Sequence, residues 1–432
     1  MKPVEYYKEI KDRYDKIGSG FCVLKWHHLE IHLSSAQSHS CFHCPQRHLS
    51  LDEDLHNTKQ KMKQRKTMLE GGRPEECSYC WNAEDVGAPS SRITMTPIYT
   101  EMQPDIIETT AKLKWDESVY PKYLEMSFSN VCQLKCSYCS TQNSSAWHDE
   151  IKKHGDYPLI DVENKNQYVS HGRENLYEED SPMHQKFWEW FDEAKKHLKV
   201  MRITGGEPLL HESTFRLAEI IKDTGIDFHV NSNLCVSKRR IKRLVTLNPD
   251  VKIYASVDSI GTQAEWIRHG LDWEMFEDNI SKLVHSNIEV GLMVTFNLLS
   301  IPKFHEFLQW VLRYKQFASD KFKLDTPFMT NPKHLSALIL DDNMMDTLYS
   351  ARHFMQKNMD DNNPHKFNSG EFAKFDRVVK LVESNRFDGE DLNRHRKDFR
   401  LFVDEHDKRR GVNWHECFPE LKSFYESCDA AE

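Results

Sequence analysis

Short apolar stretches alternate with helical patterns between residues 120 and 332, and this alternation limits the fold more than any other feature. Six stretches have the β-branched and apolar character of strands: YLEMSFS, KVMRITGG, DFHVNSN, KIYASVDS, EVGLMVTFN and KFKLDTPF. Between the later ones, apolar residues recur at helical spacing in 273–284 and 304–312. The pattern predicts an α/β fold, with a parallel sheet or partial (β/α)6 barrel and functional residues at the carboxyl ends of its strands.

The alternating region lies between two segments of different character. Residues 1–110 hold five cysteines and a charged helical stretch, DLHNTKQKMKQRKTMLEGG, whose final glycines mark a helix end. Residues 333–432 are helical and charged. Within the central region, the polar stretch DVENKNQYVSHGRENLYEEDSP lacks a packing pattern and is predicted as a surface loop. We therefore predict three domains: 1–110, 120–332 and 333–432.

Composition narrows the class of protein. A chain of 432 residues with 39% hydrophobic residues can bury large cores. The net charge of −9 gives no basic surface of the kind that nucleic-acid binding needs. No apolar run approaches the roughly 20 residues that span a bilayer, and the first residues are polar, so we expect a cytoplasmic protein without a membrane partner. In that reducing compartment, clustered members of the 11 cysteines are expected to be metal or cofactor ligands.

Three cysteines lie on the loop that follows the first predicted strand. Cys132, Cys136 and Cys139 form a Cys-x3-Cys-x2-Cys pattern. Three thiolates in one short loop can hold three corners of an iron–sulfur cluster and leave its fourth iron open. A structural zinc site needs four closed ligands, and no fourth cysteine is adjacent. The spacing therefore favours an iron–sulfur cluster over zinc and over buried free thiols.

This loop resembles the signature of the radical S-adenosylmethionine superfamily. An aromatic residue, Tyr138, precedes the last cysteine, and ITGGEP follows at the end of the second strand. The resemblance covers about residues 120–332. It implies a radical SAM barrel in which the three cysteines bind a 4Fe–4S cluster and the open iron binds S-adenosylmethionine. Reductive cleavage then yields a 5′-deoxyadenosyl radical, which abstracts hydrogen from a substrate, and an external flavodoxin-like or ferredoxin-like donor supplies the electron.

The resemblance also assigns roles to residues at the ends of later strands. Gly205 and Gly206 let the backbone approach the methionine end of S-adenosylmethionine, Glu207 offers a carboxylate to its ammonium group, and Pro208 stiffens the turn. Asn233 is a further candidate contact to S-adenosylmethionine, although the usual glycine of that strand end is absent. Ser256 and Asp258 are candidate ligands of the ribose hydroxyls, and their alternative role is to cap a strand or helix.

The tetrapeptide CSYC occurs twice, at 77–80 and at 136–139, but its two copies belong to different ligand sets. Arg73 stands where the second copy has Cys132, so Cys77 and Cys80 need partners from Cys22, Cys41 and Cys44. One alternative joins Cys41 and Cys44 to Cys77 and Cys80 as two zinc knuckles. The other takes Cys22, Cys41, Cys77 and Cys80 as ligands of a second 4Fe–4S cluster, with a hairpin bringing the first two together. Cys44 is a ligand only in the zinc alternative, and Cys22 only in the cluster alternative.

The four-cysteine alternative resembles the twitch domain, the short form of the auxiliary-cluster SPASM module. In that signature, a glycine stands in the hairpin five residues before the second cysteine, where this chain has Ala36. The module usually follows the radical core, whereas here it precedes the core. In outline the chain is similar to twitch-containing radical enzymes of bacteriophages and environmental bacteria.

The remaining conspicuous residues have ordinary explanations. Isolated cysteines are predicted to be buried or surface thiols: Cys235, Cys417 and Cys428. Histidines near the cysteines are expected to make polar contacts, with replacement of a metal ligand by one of them as the alternative: His27, His28, His32, His39, His43 and His48. Near the C-terminus, a charged helix ending at Gly411 and a short apolar anchor are predicted to pack against the core or close the barrel mouth.

The substrate is not fixed by the sequence. Resemblance to auxiliary-cluster enzymes favours a peptide or protein, and a small alcohol or nucleotide precursor is the alternative. A protein of another class, an iron–sulfur or zinc electron carrier or sensor, would use similar cysteines. The GGEP turn favours the enzyme, because an electron carrier does not need to bind an ammonium group.

Overall fold

The computed structural model describes residues 4–41, 43–169 and 181–428. Eleven strands are found in these ranges: β1 His28–His32, β2 Gln37–His39, β3 Arg47–His48, β4 Tyr123–Ser127, β5 Lys135–Cys136, β6 Val200–Thr204, β7 Asp227–Ser232, β8 Lys252–Ser256, β9 Arg268–His269, β10 Glu289–Met293 and β11 Phe322–Asp325.

The same ranges contain α-helices of between one and six turns. Those preceding β6 are α1 Val4–Asp15, α2 Leu24–His27, α3 Lys59–Leu69, α4 Ser78–Asp85, α5 Ser91–Met102, α6 Ile106–Thr110, α7 Ser145–His154, α8 Val162–Asn166 and α9 Pro182–Ala194. Those following β6 are α10 Glu212–Ile220, α11 Lys238–Leu247, α12 Gly261–Ile267, α13 Trp273–His285, α14 Phe304–Ala318, α15 Asp342–Lys357, α16 Ser369–Asn385, α17 Gly389–Arg410, α18 Trp414–Cys417 and α19 Lys422–Ser427. Short 3-10 turns occupy Glu75–Cys77, Pro208–Leu210, Leu298–Ser300, Ser319–Lys321, Lys333–Leu335, Ala337–Ile339 and Pro419–Leu421.

The chain forms two compact units. The first comprises Met1–Ser129, Leu176–Gly205 and Ser213–His229, and the second comprises Asn130–Asn175, Gly206–Glu212 and Val230–Glu432. In the first unit the strands lie in the order β3-β2-β1-β4-β6-β7. In the second unit the order is β7-β8-β10-β11. Strand β7 is given for both units because the boundary between them falls within this strand. These units differ from the three predicted segments.

The six predicted strands of the central region are confirmed as β4, β6, β7, β8, β10 and β11. Pairing is parallel between β4 and β6, between β8 and β10, and between β10 and β11. Helices α13 and α14 form at the predicted positions and bury their apolar faces. The predicted α/β fold with a mostly parallel sheet is therefore confirmed, because alternating strand and helix periods leave few other ways to bury both kinds of element.

The N-terminal segment extends this parallel sheet. Strands β1 and β2 form the predicted antiparallel hairpin. Strand β1 then pairs in parallel with β4, which places Leu29 opposite Leu124 and Glu30 opposite Glu125. Residues 1–110 and the first strand of the central region consequently share one sheet, and this explains why the compact units do not follow the predicted segment boundaries.

The polar insertion at 161–182 is only partly described, and its described beginning differs from the prediction. Residues 170–180 lie outside the described part of the chain. The preceding residues form α8, in which Asn164 is fully buried and donates from Nδ2 to Asp398 Oδ2 over 2.9 Å. Tyr168 is also fully buried. The prediction of a surface loop is wrong for 161–169, because single buried polar side chains with distant partners leave no periodic pattern in a sequence.

The predicted helix ends are confirmed. Helix α3 ends before Gly71, whose φ of 83° is in the left-handed region that glycine adopts without strain. Helix α17 ends at Gly411 with φ of 65°. After it, Trp414 and Phe418 are buried and stack on each other with ring centroids 4.2 Å apart. Within the described ranges, none of the helices combines the length and apolarity needed to cross a bilayer.

Candidate functional site

The three-cysteine loop lies directly after β4, at the carboxyl end of a parallel strand. Cys136 belongs to β5, a two-residue strand that pairs with β9. The Cys139 amide donates to the Cys136 carbonyl over 2.9 Å, which closes a tight turn around Ser137 and Tyr138. Cys132 and Cys136 pack against a small apolar cluster of Leu134, Ala264 and Leu271.

Side chains from elsewhere in the second unit fix the backbone of this loop. Trp147 Nε1 on α7 donates to the Cys136 carbonyl over 2.8 Å. The Tyr168 hydroxyl donates to the Ser137 carbonyl over 2.7 Å, and Gln167 Nε2 donates to the Tyr138 carbonyl over 2.8 Å. These bonds satisfy three backbone carbonyls of the loop and thereby fix its main-chain path.

The donor set fits an iron–sulfur cluster. A structural zinc ion is held by four protein ligands, whereas this loop offers three thiols. Three thiols can hold three irons of a four-iron cluster and leave the fourth open. Burial raises the pKa of all three thiols, and that of Cys139 reaches about 12. Iron binding would therefore displace a proton from each thiol.

The turn after β6 leaves no room for side chains at its two glycines. A Cβ atom on Gly205, which has φ of 113°, would lie 2.2 Å from Ser127 Oγ. A Cβ atom on Gly206 would lie 2.3 Å from the carbonyl oxygen of Val131, which precedes Cys132. The Glu207 amide donates to that same carbonyl over 2.8 Å. The glycines are therefore needed because the turn and the cysteine loop approach at backbone contact distance.

Glu207 is a buried carboxylate at the end of β6. Its Oε1 accepts hydrogen bonds from the Ser232 hydroxyl at 2.8 Å and the Leu209 amide at 3.0 Å, and its Oε2 accepts from the Asn233 amide at 2.7 Å. Burial raises its pKa to about 7, although these bonds oppose the shift. A carboxylate has about four acceptor positions, so contacts within the described chain leave one for a ligand such as an ammonium group.

Asn233 links the glutamate to the cysteine loop. Its amide donates to Glu207, and its side-chain Nδ2 donates to Cys132 Sγ over 3.9 Å. Its Oδ1 accepts from Gln133 Nε2 at 3.2 Å. The predicted contact of Asn233 with S-adenosylmethionine stays a prediction, and the structure adds a contact with a sulfur atom that the sequence did not indicate.

Of the two residues predicted at the end of β8, Asp258 lies in a buried network with Tyr138. The Tyr138 hydroxyl donates to Asp258 Oδ2 over 2.7 Å, and the Thr295 amide donates to Asp258 Oδ1 over 3.0 Å. Arg268 Nε donates to Asp258 Oδ2 over 2.8 Å, and its Nη1 donates to Cys136 Sγ over 3.7 Å. Asp258 is thus bonded within the protein and fully buried, whereas Ser256 is half-buried at the end of β8. Their ribose contacts stay predictions.

Sequence reasoning missed Arg268 and a second buried arginine, Arg410. Arg410 is the last residue of α17 and donates from Nη1 to the Lys135 carbonyl beside Cys136 over 2.9 Å. It also pairs with Glu150 at 3.0 Å, as Lys135 does at 2.6 Å. The signal for Arg410 was weak, since the run DKRRG resembles any basic helix end. The predicted packing of the C-terminal segment against the core is confirmed by these contacts.

The five N-terminal cysteines gather in the first unit. Cys22, Cys41, Cys44, Cys77 and Cys80 all line one cavity of about 30 Å³. Cys44 Sγ lies 3.3 Å from Cys41 Sγ and 4.0 Å from Cys77 Sγ. The members of both predicted ligand sets therefore lie together, and Cys44 lies between two cysteines from different parts of the sequence.

A buried ion pair borders this cavity. Lys25 Nζ lies 2.5 Å from Glu76 Oε1 and 3.7 Å from Cys44 Sγ, and only 2% of Lys25 is exposed. Hydrogen bonds from Cys41 and Cys77 lower the pKa of Cys44, with Lys25 adding to the effect. Neither Lys25 nor Glu76 was singled out from the sequence, because single charged residues carry no spacing signal.

Two other N-terminal residues named in the sequence analysis, Ala36 and Arg73, have defined surroundings. Ala36, which stands at the glycine position of the twitch signature, has a left-handed φ of 49° in the β1–β2 turn. Arg73 forms an ion pair with Asp85 at 2.7 Å and lies over the ring of Trp81, so it takes no part in lining the cysteine cavity.

The three isolated cysteines lie in separate surroundings. Cys235 packs against the apolar cluster beside the three-cysteine loop, and burial raises its pKa to about 11. Cys417 is half-buried, and Cys428 is buried. These positions agree with ordinary thiols.

Comparison with known proteins identifies the central region. Residues 126–311 match the family model described as the Radical SAM superfamily. This stretch contains the cysteine loop, the GGEP turn and strands β6 to β10. None of the curated proteins matches the chain.

Several solved structures are similar at low identity. Streptococcus suis SuiB bound to its precursor peptide SuiA is 14% identical, with 62% of this chain and 53% of that chain covered and a TM-score of 0.37. SuiB bound to S-adenosylmethionine is 13% identical, with 76% and 69% covered and a TM-score of 0.38. Native anSMEcpe with bound AdoMet and the Cp18Cys peptide is 12% identical, with 71% and 99% covered and a TM-score of 0.28. The chain spans about half of the length of peptide-bound SuiB.

Proposed function

Starting from a Radical SAM superfamily domain at 126–311, we propose that this chain is a radical enzyme. Cys132, Cys136 and Cys139 would hold a 4Fe–4S cluster, which when bound supplies the electron that cleaves S-adenosylmethionine and yields the 5′-deoxyadenosyl radical for hydrogen abstraction. An external flavodoxin-like or ferredoxin-like protein would supply electrons. A cytoplasmic location remains part of the proposal.

The observation that carries this proposal is the double contact of Asn233. Its amide donates to Glu207 and its side chain donates to Cys132 Sγ. One residue thereby holds a carboxylate and a metal-ligating sulfur in fixed relation. An electron carrier needs only the sulfur, so the buried Glu207 beside the loop favours an enzyme that binds a charged cosubstrate.

The protein's own residues would bind and orient this cosubstrate. Glu207 keeps one acceptor position for the ammonium group. Gly205 and Gly206 permit the close backbone approach of the turn to the loop. Arg268 and Asn233 donate to the Cys136 and Cys132 sulfurs and thereby set the charge around the cluster. Asp258 holds Arg268 and Tyr138 in place.

A second metal centre in the N-terminal segment belongs to the same proposal. Cys22, Cys41, Cys77 and Cys80 would hold an auxiliary 4Fe–4S cluster of the twitch type. Their common cavity and the left-handed turn at Ala36 support this assignment. The centre would accept an electron or bind substrate.

A zinc site is the second candidate for this centre, and Cys44 favours it. The Cys44 sulfur lies 3.3 and 4.0 Å from the Cys41 and Cys77 sulfurs. These values bracket the separation of about 3.8 Å between sulfurs on one zinc ion. The zinc ligands would be Cys41, Cys44, Cys77 and Cys80.

We propose a peptide or protein as the substrate, with a small alcohol or nucleotide precursor as the alternative. The support is the sequence resemblance to auxiliary-cluster enzymes that modify peptides.

One experiment tests the enzyme. Anaerobically reconstituted protein is reduced with dithionite and incubated with S-adenosylmethionine, and 5′-deoxyadenosine is measured. We expect its release from the wild type and its loss in Cys136→Ala, whereas Cys417→Ala should behave as the wild type. Protein that contains the cluster and never releases 5′-deoxyadenosine would rule the enzyme out.

A metal count tests the second centre. About 8 iron atoms per chain indicate two four-iron clusters, and about 4 iron atoms with 1 zinc ion indicate the zinc site. Cys22→Ala should remove metal only if the auxiliary cluster is correct. Cys44→Ala should remove metal only if the zinc site is correct.

A further inference from the structure

A polar group outside the cysteine sites lies on the sheet of the first unit. Glu30 and His32 belong to β1, and His39 belongs to β2. One carboxylate oxygen and one ring nitrogen from each histidine all lie within 4.8 Å of one another. Glu30 Oε1 is 3.2 Å from His32 Nε2. Glu30 and His39 are opposite each other in the antiparallel pair, and His32, two residues along β1, shares their face.

The hydrogen bond of His39 Nδ1 leaves the lone pair of the second ring nitrogen, Nε2, without a partner in the described chain. His39 Nδ1 bonds to the Cys44 carbonyl oxygen over 2.6 Å. Since a carbonyl only accepts, the proton is on Nδ1 and the lone pair is on Nε2. Nε2 is buried and has no hydrogen-bond partner in the described chain. Metal-bound histidines commonly have this arrangement, with a carbonyl fixing the nitrogen that does not bind metal.

The neighbouring strand adds a second carboxylate, one oxygen of which lacks a hydrogen bond within the described residues. Glu125 on β4 lies opposite Glu30 in the parallel β1–β4 pair. Only 8% of Glu125 is exposed, and its Oε2 has no hydrogen-bond partner among the described residues. Arg202 Nη1 lies 3.8 Å from this oxygen.

Hydrogen bonding within the group does not account for these features. The contact between His32 and Glu30 leaves His39 Nε2 without a hydrogen-bond partner among the described residues. A divalent cation would use this free lone pair of His39 and neutralise Glu30.

We propose that Glu30, His32 and His39 bind a divalent first-row transition metal ion. Two imidazoles and one carboxylate form a nitrogen–oxygen donor set with open positions for water or substrate. Glu125 borders the site and is stabilised by the charge of the ion. The site contains no thiolate, so it is chemically distinct from both cysteine sites.

Mn²⁺ is a suitable probe because it is a hard ion that competes poorly for thiolates. The full chain is reconstituted with iron and sulfide to fill the cysteine sites, freed of excess metal and titrated with Mn²⁺, with free Mn²⁺ followed by its EPR signal. We expect one bound Mn²⁺ per chain. Electron spin-echo modulation should show coupling to two imidazole nitrogens.

Matched variants locate the bound ion. His32→Gln and His39→Gln should each weaken Mn²⁺ binding at least ~10-fold. His48→Gln, an exposed histidine on β3 of the same sheet, should leave it unchanged.

Three results would each overturn the proposal: a wild type that binds no stoichiometric Mn²⁺, bound Mn²⁺ without nitrogen coupling, or equal affinity in all three variants. The spin-echo measurement uses the wild type and does not depend on whether the variants fold. The readout does not involve 5′-deoxyadenosine, so failure here is distinguishable from failure of the proposed enzyme.

Discussion

At the scale of single residues, buried charged groups control how the cysteine loop can bind and use a cofactor. Glu207 is a buried carboxylate whose pKa is raised to about 7 by burial. Arg268 is a buried guanidinium that contacts a cysteine sulfur. The charge of Glu207 should affect the binding of S-adenosylmethionine, and the charge of Arg268 should affect the reduction potential of the cluster.

Binding of S-adenosylmethionine should depend on the ionisation of Glu207. Below its pKa the group is neutral and cannot pair with an ammonium group, so affinity should rise with pH through about 7. Titration of the cluster-loaded protein should show affinity roughly tenfold weaker at pH 6 than at pH 8. Glu207→Gln should bind weakly at both pH values, whereas Glu212→Gln, at an exposed position nearby, should keep the wild-type profile. An unchanged profile in Glu207→Gln would assign the pH dependence to another group.

Arg268 should raise the reduction potential of the bound cluster, because hydrogen bonds to cluster sulfurs favour the reduced state. The double variant Asp258→Asn, Arg268→Gln removes this bond without leaving a buried carboxylate unpaired. Its midpoint potential, followed by EPR during redox titration, should be more negative than that of the wild type. Arg239→Gln, which changes an exposed residue of α11, serves as the control. Equal potentials in all three proteins would mean that the contact has no electrostatic effect on the cluster.

At the scale of elements, tight turns place the ligands where strands end. The β1–β2 hairpin turns at Ala36, and the turn after β6 contains Gly205 and Gly206. Two glycines are required where backbones touch, whereas the hairpin tolerates an alanine in a left-handed conformation. The hairpin therefore contains local strain that a substitution can remove.

Ala36→Gly should stabilise the protein, because an L residue in the left-handed region costs roughly 1 kcal/mol relative to glycine. Part of that gain is lost to the greater flexibility of glycine in the unfolded chain. Thermal unfolding should therefore give an equal or higher midpoint. The matched control Ala373→Gly, inside α16, should lower the free energy of unfolding by about 1 kcal/mol. A lower midpoint for Ala36→Gly would show that the left-handed turn carries no strain.

At the scale of the whole molecule, segments far apart in sequence complete the sites. Arg410 from α17 and Lys135 from the cysteine loop share the buried Glu150 of α7. Burial alone would raise the pKa of Glu150, but the two cations lower it to about 2. The C-terminal helix thus holds the cysteine loop through one carboxylate.

Stability should fall in acid as Glu150 takes up a proton. Its pKa in the folded state lies below the ordinary value of about 4.5, so its contribution is complete above that pH and is lost as the pH falls toward 2. A shift of this size corresponds to roughly 3 kcal/mol. Glu150→Gln should lower the midpoint of thermal unfolding at pH 7 and flatten the acid dependence. Asp149→Asn, at the exposed neighbouring position, should do neither. Similar midpoints for the two variants would refute the role of this ion pair.

The sequence predicted much of the fold because strand and helix periods are local properties. All six central strands, the N-terminal hairpin and the helix ends at Gly71 and Gly411 follow from runs of a few residues. The prediction of a surface loop failed at 161–169, where Asn164 is buried and bonded to Asp398. Pairing between residues more than 200 positions apart has no period, so a polar stretch that packs internally has the same composition as one that faces water.

For the sites, the sequence by itself determined which residues fall within one loop or turn. The three cysteines lie in eight residues and Glu207 in a four-residue turn, so their spacing is visible in the sequence and supports the proposed chemistry. Only the tertiary structure decided the rest. Strand order places Asn233 and Arg268 against cysteine sulfurs and brings Cys44 beside Cys41 and Cys77. It also sets Glu30 beside Glu125 and His39. The physical reason is that these contacts depend on which strands pair and in which register, and hydrophobic periodicity does not encode either.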